Sequence, residues 1–246
     1  MATYRDEGVV LRTVRLGEAD RIVTLATPVH GKVRAVAKGV RRTKSRIGAR
    51  VEPLTHVTLL CWKGRELDVV TQVEVLDSFR AIREDLDRMA PALTMLEIVD
   101  QVAVEQHPMG ELFTTLVGAL STLESSDSPL VLAAFCWRLL VVEGVAPVVD
   151  SCVRCGSDGP LVAFDAAEGG FCCRECRRGP AVSPESVEIV RRIVGGGIRR
   201  VLDEGAHESD GEVEQIAIRA VERLLDRRLR TTRHALDSGA PRAASL

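Results

Sequence analysis

Four cysteines stand as two Cys-x-x-Cys pairs, Cys152 with Cys155 and Cys173 with Cys176, separated by 17 residues. That spacing suits a tetrahedral site for Zn²⁺, because each pair closes a turn that presents two thiolates, and four soft anionic ligands replace the ion's hydration shell. Gly156 follows Cys155 directly, where a residue without a Cβ can take the positive φ of a tight knuckle. Four thiolates close the coordination sphere, so such a metal is structural and not catalytic, with one ion per chain. It would fold a segment, 151–180, that is rich in Gly and charge. Disulfides, redox thiols and ordinary buried cysteines compete for the same residues. Disulfides are disfavoured in a cytosolic chain, and a redox pair wants a single motif opening a helix in a βαβ setting. Cys172, beside Cys173, could compete as a ligand but would break the two-residue spacing, while Cys61 and Cys136 lie in apolar runs and read as core.

A second chemistry is carried by charge. From Arg21 to Val51 there is no Asp or Glu, yet nine basic residues occur: Arg21, Lys32, Arg34, Lys38, Arg41, Arg42, Lys44, Arg46 and Arg50. The whole chain has a formal charge of -2, so positive charge is segregated. Residues 1–80 hold 15 Lys and Arg against 9 Asp and Glu, a balance of +6, and residues 81–246 balance at -8. Cations without carboxylate neighbours form a landing site for a polyanion, of which nucleic acid is the commonest. A solvated face with an Arg bias from GC-rich coding is the plainer reading, since the chain has 29 Arg and only 4 Lys. Three of those Lys nevertheless fall inside the run.

Enzyme signatures are not found. There is no Walker loop, no Gly-x-Ser-x-Gly elbow, no dinucleotide fingerprint and no His-Glu-x-x-His, and the histidines at 30, 56, 107, 207 and 234 lack partners that would make them catalytic. The 46% hydrophobic content indicates a globular chain. No segment is apolar enough to span a membrane, and the N-terminus lacks a signal-peptide core, so the expected location is the cytoplasm.

The elements that must position these groups follow from periodicity. Short β-branched runs at 8–14, 21–27, 32–37, 56–62 and 67–73 predict five strands, and five strands in so short a stretch suggest a small closed or partly open barrel. Alternation along 32–38 puts Lys32, Arg34 and Lys38 on one face and Val33, Ala35 and Ala37 on the other. A flexible basic loop, 39–50, is expected to follow. Helical spacing begins near Phe79, with Ile82, Leu86, Met89, Leu93, Leu96 and Val99 facing inward and Pro91 as a kink or break. Further helices are predicted over 111–123 and 129–143. Ser183 caps another that opens with Pro184, runs to Val194 and ends at Gly195–Gly197. A last helix, 213–230, would turn Ile216, Ala220, Leu224 and Leu225 inward, and the tail 237–246 has no core-forming pattern and is expected to be disordered.

Several stretches together resemble one family. Gly8-Val-Val-Leu-Arg-Thr, Gly17-Glu-Ala-Asp-Arg-Ile-Val-Thr-Leu and His30-Gly-Lys-Val-Arg-Ala-Val-Ala-Lys-Gly-Val-Arg-Arg are followed in order by Lys44-Ser-Arg, Glu52-Pro-Leu, Leu67-Asp-Val-Val-Thr-Gln-Val-Glu and the two cysteine pairs. This series resembles the RecO family of recombination mediators over residues 6 to about 180. The resemblance implies an α+β chain: an N-terminal OB-fold, 1–80, a helical domain in two parts, 81–150 and 181–236, and between them a zinc-binding segment held by the four cysteines. It also implies binding of single- and double-stranded DNA, annealing of complementary strands, and help for RecA on DNA coated with single-strand binding protein, together with RecR and RecF.

Phosphate contacts are expected from Lys32, Arg34, Lys38, Arg41, Arg42, Lys44 and Arg46. Residues 1–80 contain only Tyr4, Trp62 and Phe79 as aromatics, so binding should rest on charge more than stacking. Five to seven contacts on a single strand predict a log-log salt slope of about -3.5 to -5. A zinc-ribbon transcription or RNA-binding adaptor using the same basic run is the alternative; it predicts sequence preference or selectivity for RNA.

Overall fold

Alternating inward residues build the N-terminal barrel. The computed structural model describes residues 2–42, 45 and 47–231. Strands β1 (Thr3–Leu16), β2 (Asp20–Thr27), β3 (Gly31–Ala37), β4 (His56–Trp62) and β5 (Asp68–Asp77) close in the order β1-β2-β3-β5-β4. All neighbours are antiparallel except β3 and β5, whose short parallel pairing of Ala35 with Asp68 and Val36 with Val69 completes the barrel. This is the OB-fold arrangement. Val10, Val23, Leu25, Val33, Ala35, Val57, Leu59, Cys61, Val70 and Val73 fill the interior, each on the inward phase of its strand.

Two features fix the β3 edge. Gly31 has φ +69, and a Cβ there would lie 2.1 Å from the carbonyl oxygen of His107, so only glycine fits the turn into β3. Beyond it, Lys32 N–H donates to the Val104 carbonyl at 3.1 Å, so the stretch after the second helix lies along this strand.

The chain divides into two compact units, one comprising Met1–Phe113 together with the chain from Arg228, the other Thr114–Arg227. Helices α1 (Arg80–Glu84) and α2 (Leu86–Val102) belong with the barrel. The helix expected to run through Pro91 breaks instead at Asp85, whose extended backbone caps α2 and whose carboxylate accepts from Asp87 N–H; Pro91 sits inside α2. The inward face also differs from expectation. Ile82, Leu96 and Val99 are buried as expected and Ala92, Met95 and Ile98 are buried with them, whereas Leu93 is exposed and Leu86, the first residue of α2, is 87% exposed.

In the second unit, α4 (Val131–Val142) is buried along its length apart from the half-buried Arg138 and the Val141–Val142 end. It packs against α5 (Pro184–Val194) and α7 (Asp210–Leu224) and meets, through Trp137, a two-stranded hairpin of β6 (Leu161–Asp165) and β7 (Gly170–Cys173); the unit also holds the rest of α3 (Gly110–Ser125) and α6 (Ile198–Asp203), which packs on α5. Ser183 accepts from Ser186 N–H at the start of α5, as its cap position requires. Gly195–Gly197 ends α5, but one short helix, α6, follows where none was expected. The last helix stops at Leu224, which is exposed, so Val213, Ile216, Ala217, Ala220 and Val221 form its buried stripe. No helix among the described residues is long and apolar enough to cross a membrane. The tail 237–246 lies outside the described residues.

Candidate nucleic-acid interface and metal centre

The alternation in β3 holds: Val33, Ala35 and Ala37 are buried, while Lys32, Arg34 and Lys38 share the outer face with Val36. Acid-free in sequence, this face is not acid-free in space. Lys32 donates from Nζ to the Asp100 carbonyl at 2.5 Å and lies 3.8 Å from Asp100 Oδ1. Asp100 also takes Arg12 Nε at 2.7 Å. Arg34 stands 3.7 Å from Glu105, and Arg21 pairs with Glu52 at 2.6 Å. Lys32 is thus an anchor between β3 and α2, its side chain only 17% exposed. The Arg34 pair is different: it is half open to solvent, where such pairs contribute about 0–1 kcal/mol, so a phosphate can displace Glu105 at little cost.

Lys38 and Arg42 are exposed and have no side-chain partner among the described residues. Arg41 reaches the Glu18 carbonyl at 2.8 Å, its N–H donates to the Ala19 carbonyl, and Gly39 N–H donates to Asp20 Oδ1 at 2.7 Å. These bonds tie the start of the basic loop to the β1–β2 turn. Gly48–Val51 forms a 3-10 turn whose Val51 is buried in the barrel core, with Ile47 packed beside it. The expected flexible loop is therefore anchored at both ends. Lys44 and Arg46 lie outside the described residues. Lys63 and Arg65 in the β4–β5 turn, both exposed, were not among the expected contacts. Glu66 and Asp68 mask their signal in the sequence, although Asp68 is buried and bonds inward to Tyr4 and Gly64 N–H.

Tyr4 links this turn to the barrel. Its hydroxyl donates to Asp68 Oδ2 at 2.5 Å, its ring lies 4.1 Å from that of His30, and Lys63 Nζ is 5.9 Å from its centroid. Burial, and then the bond to Asp68, hold the phenol protonated well above the usual tyrosine range. His30 Nδ1 lies 2.6 Å from Asp6 Oδ2.

Of the chain's seven cysteines only four meet, and all four belong to the second unit. The sulfurs of Cys152, Cys155, Cys173 and Cys176 all lie within 4.8 Å of one another. Cys155 and Cys173, from different pairs, are 3.8 Å apart. A tetrahedral ion with metal–sulfur bonds of about 2.3 Å has an edge of about 3.8 Å, so the donor set fits one Zn²⁺-sized ion. Gly156 takes φ +73 and its N–H donates to the Cys152 carbonyl at 2.8 Å, forming the first knuckle. Hydrogen bonding from the backbone at Cys173 lowers the Cys152 thiol to about 6, while side-chain hydrogen bonds from Cys155 and then Cys173 push Cys176 up to about 12 and Cys155 is raised as well, so Cys152 ionises most readily of these three and the other two need a cation to offset the charge. Cys172 is buried on β7 outside the cluster, and burial raises its pKa, so it is a core residue like Cys61 and Cys136.

The hairpin beneath this cluster has an aromatic foot. Phe164 on β6 meets Phe171 on β7 at 5.2 Å and Trp137 of α4 at 5.6 Å, both edge to face. Arg154 pairs with the buried Asp165 at 3.1 Å across the knuckle.

Comparison with known proteins agrees with both halves. Residues 1–79 match the family described as Recombination protein O N terminal, and residues 83–233 that described as Recombination protein O C terminal. The chain is similar to the DNA repair protein RecO of Thermobifida fusca, with 46% identity over 193 residues covering 77% of this chain and 79% of that protein. It is also similar to the DNA repair protein RecO of Frankia casuarinae, with 46% identity over 202 residues covering 80% and 83% respectively.

Proposed function

From the premise that the chain belongs to the recombination protein O family, we propose that it serves DNA repair and recombination as a mediator without catalysis of its own. It binds single- and double-stranded DNA, anneals complementary strands, and assists RecA on DNA coated with single-strand binding protein, acting in the cytoplasm with RecR in the RecF pathway. The observation that carries this reading is the outer row of β3 with its adjoining loop: Arg34, Lys38, Arg41 and Arg42 expose positive charge with little opposing carboxylate. Phosphates of two strands repel each other, and cations held on a rigid barrel reduce that repulsion without reading sequence.

Lys32, held by Asp100, contributes to the fold of this face more than to phosphate binding. Four to six phosphate contacts then give a log-log salt slope of about -3 to -4 on single strands. In the second unit Cys152, Cys155, Cys173 and Cys176 hold one structural Zn²⁺, which joins the knuckle to the β6–β7 hairpin and leaves no coordination position open.

Labelled complementary strands coated with single-strand binding protein, incubated with and without the chain, test the reading. Faster annealing without cleavage supports it. No annealing at low salt, or selective binding of RNA, would overturn it.

A further inference from the structure

Charge accounts for the β3 row but leaves one barrel residue unexplained. Trp62 ends β4 and is 48% exposed, and its indole takes part in no hydrogen bond or ring contact among the described residues. Register places it. Cys61 points into the barrel opposite Val70, so Trp62, the next residue, points outward, opposite Thr3 on β1 and Val69 on β5. Val69 in turn stands opposite Val36 on β3. Val36 lies between Arg34 and Lys38 in the outward row of that strand. The indole is therefore two strands from the cation row, about 10 Å away on the same outer face.

Cations also follow it in sequence. The β4–β5 turn carries Lys63 and Arg65, both exposed. It is held tight at Gly64, where a Cβ would lie 1.8 Å from the Leu67 carbonyl oxygen. A flat apolar ring left in water beside a set of cations, with Arg34, Lys63 and Arg65 lining one recess, matches single-stranded nucleic acid, whose bases need a stacking surface while its phosphates need positive charge. An OB barrel offers its outer face and β4–β5 turn for this purpose. The other two aromatics of the barrel region do not compete: Phe79 is fully buried, and Tyr4 is packed on His30 and bonded to Asp68.

We propose that Trp62 is a base-stacking platform for single-stranded DNA, with Arg34, Lys63 and Arg65, which line one recess beside it, and Lys38 further along β3 holding the neighbouring phosphates. This deepens the DNA-binding reading above and rests on it. Duplex bases are already stacked on one another, so Trp62 favours the single strand over the duplex.

Intrinsic fluorescence of the full chain tests this, because the chain has 2 tryptophans and the other, Trp137, is fully buried. Oligo-dT should quench the emission, and an abasic oligodeoxynucleotide of equal length, with the same charge and no bases, should not. Trp62→Ala should weaken oligo-dT binding on the order of tenfold while leaving duplex and abasic-strand binding unchanged, and Trp62→Phe should restore most of the loss. Since Trp62 is at the surface, unchanged circular dichroism of Trp62→Ala is expected alongside. Equal oligo-dT affinity for the parent chain and Trp62→Ala would overturn the stacking role and leave the DNA-binding reading intact. A parent chain that binds no DNA at low salt would overturn both.

Discussion

The cysteine knuckle and the cation face of β3 are both constellations of like groups, but one is assembled locally and the other is not. All four thiols come from residues 152–176, and the turn at Gly156 with the end of β7 brings them together. The β3 cations are adjacent in sequence too, yet their electrostatic environment is set by Asp100 and Glu105, more than 60 residues onward. Ligand spacing in a chain survives folding because turns preserve it. Net charge in a chain does not, because folding can place a distant carboxylate against any lysine.

The sharpest way to break this comparison is to remove the local constellation. Cys152→Ser or Cys176→Ser should unfold the knuckle and reduce solubility, and metal analysis of the parent should find about one zinc per chain. A metal-free preparation with the same melting curve would show that the Phe164–Phe171–Trp137 foot suffices without the ion. On the barrel side, Gly31→Ala should cost about 2 kcal/mol or more in denaturant unfolding, since it combines a positive φ with a Cβ clash against the backbone of His107.

A smaller effect separates two kinds of cation. Lys38→Ala with Arg42→Ala should reduce the magnitude of the salt slope by about 1.4 and leave stability unchanged, as two phosphate contacts are lost. Lys32→Met should do the reverse: the slope stays and stability falls by about 1 kcal/mol, as the bond to the Asp100 carbonyl is lost. If Lys32→Met alters the slope as strongly as the double variant, the carboxylates of α2 do not distinguish the two kinds.

The smallest effect concerns Tyr4, the only tyrosine. Its raised pKa means that it adds stability at pH values below the ordinary tyrosine range of about 10, and loses that contribution as pH rises toward its folded value. Tyrosinate absorbance should therefore appear only as the chain unfolds in base. Tyr4 ionising in the folded chain at ordinary alkaline pH would show that the bond to Asp68 does not hold it.

Legibility follows the range of each interaction. The five strands can be read from alternation, because the barrel interior admits only one side of each strand, as Val33, Ala35 and Ala37 show. The cap at Ser183 and Pro184 is equally local. In α2 the expected inward face holds at Leu96 and Val99 but fails at Leu86 and Leu93, since Leu86 sits at the helix's first position next to the cap at Asp85 and the buried stripe centres on Ala92, Met95, Leu96 and Val99. The short helix α6 is hidden because three glycines suggest an end and not a restart. In the sequence Trp62 is one of three scarce aromatics with nothing to set it apart; exposure separates it from Phe79 and Tyr4, and exposure depends on register.

By itself the sequence determined the barrel's alternation, the pairing of the four cysteines that meet and the presence of excess positive charge, because each follows from contacts between near neighbours or from a two-residue period. Only the tertiary structure decided which cations remain available and which aromatic faces solvent. Those outcomes depend on strand pairing and on a helix returning across the barrel, and electrostatic interactions of that kind act through space, with no regard for separation along the chain.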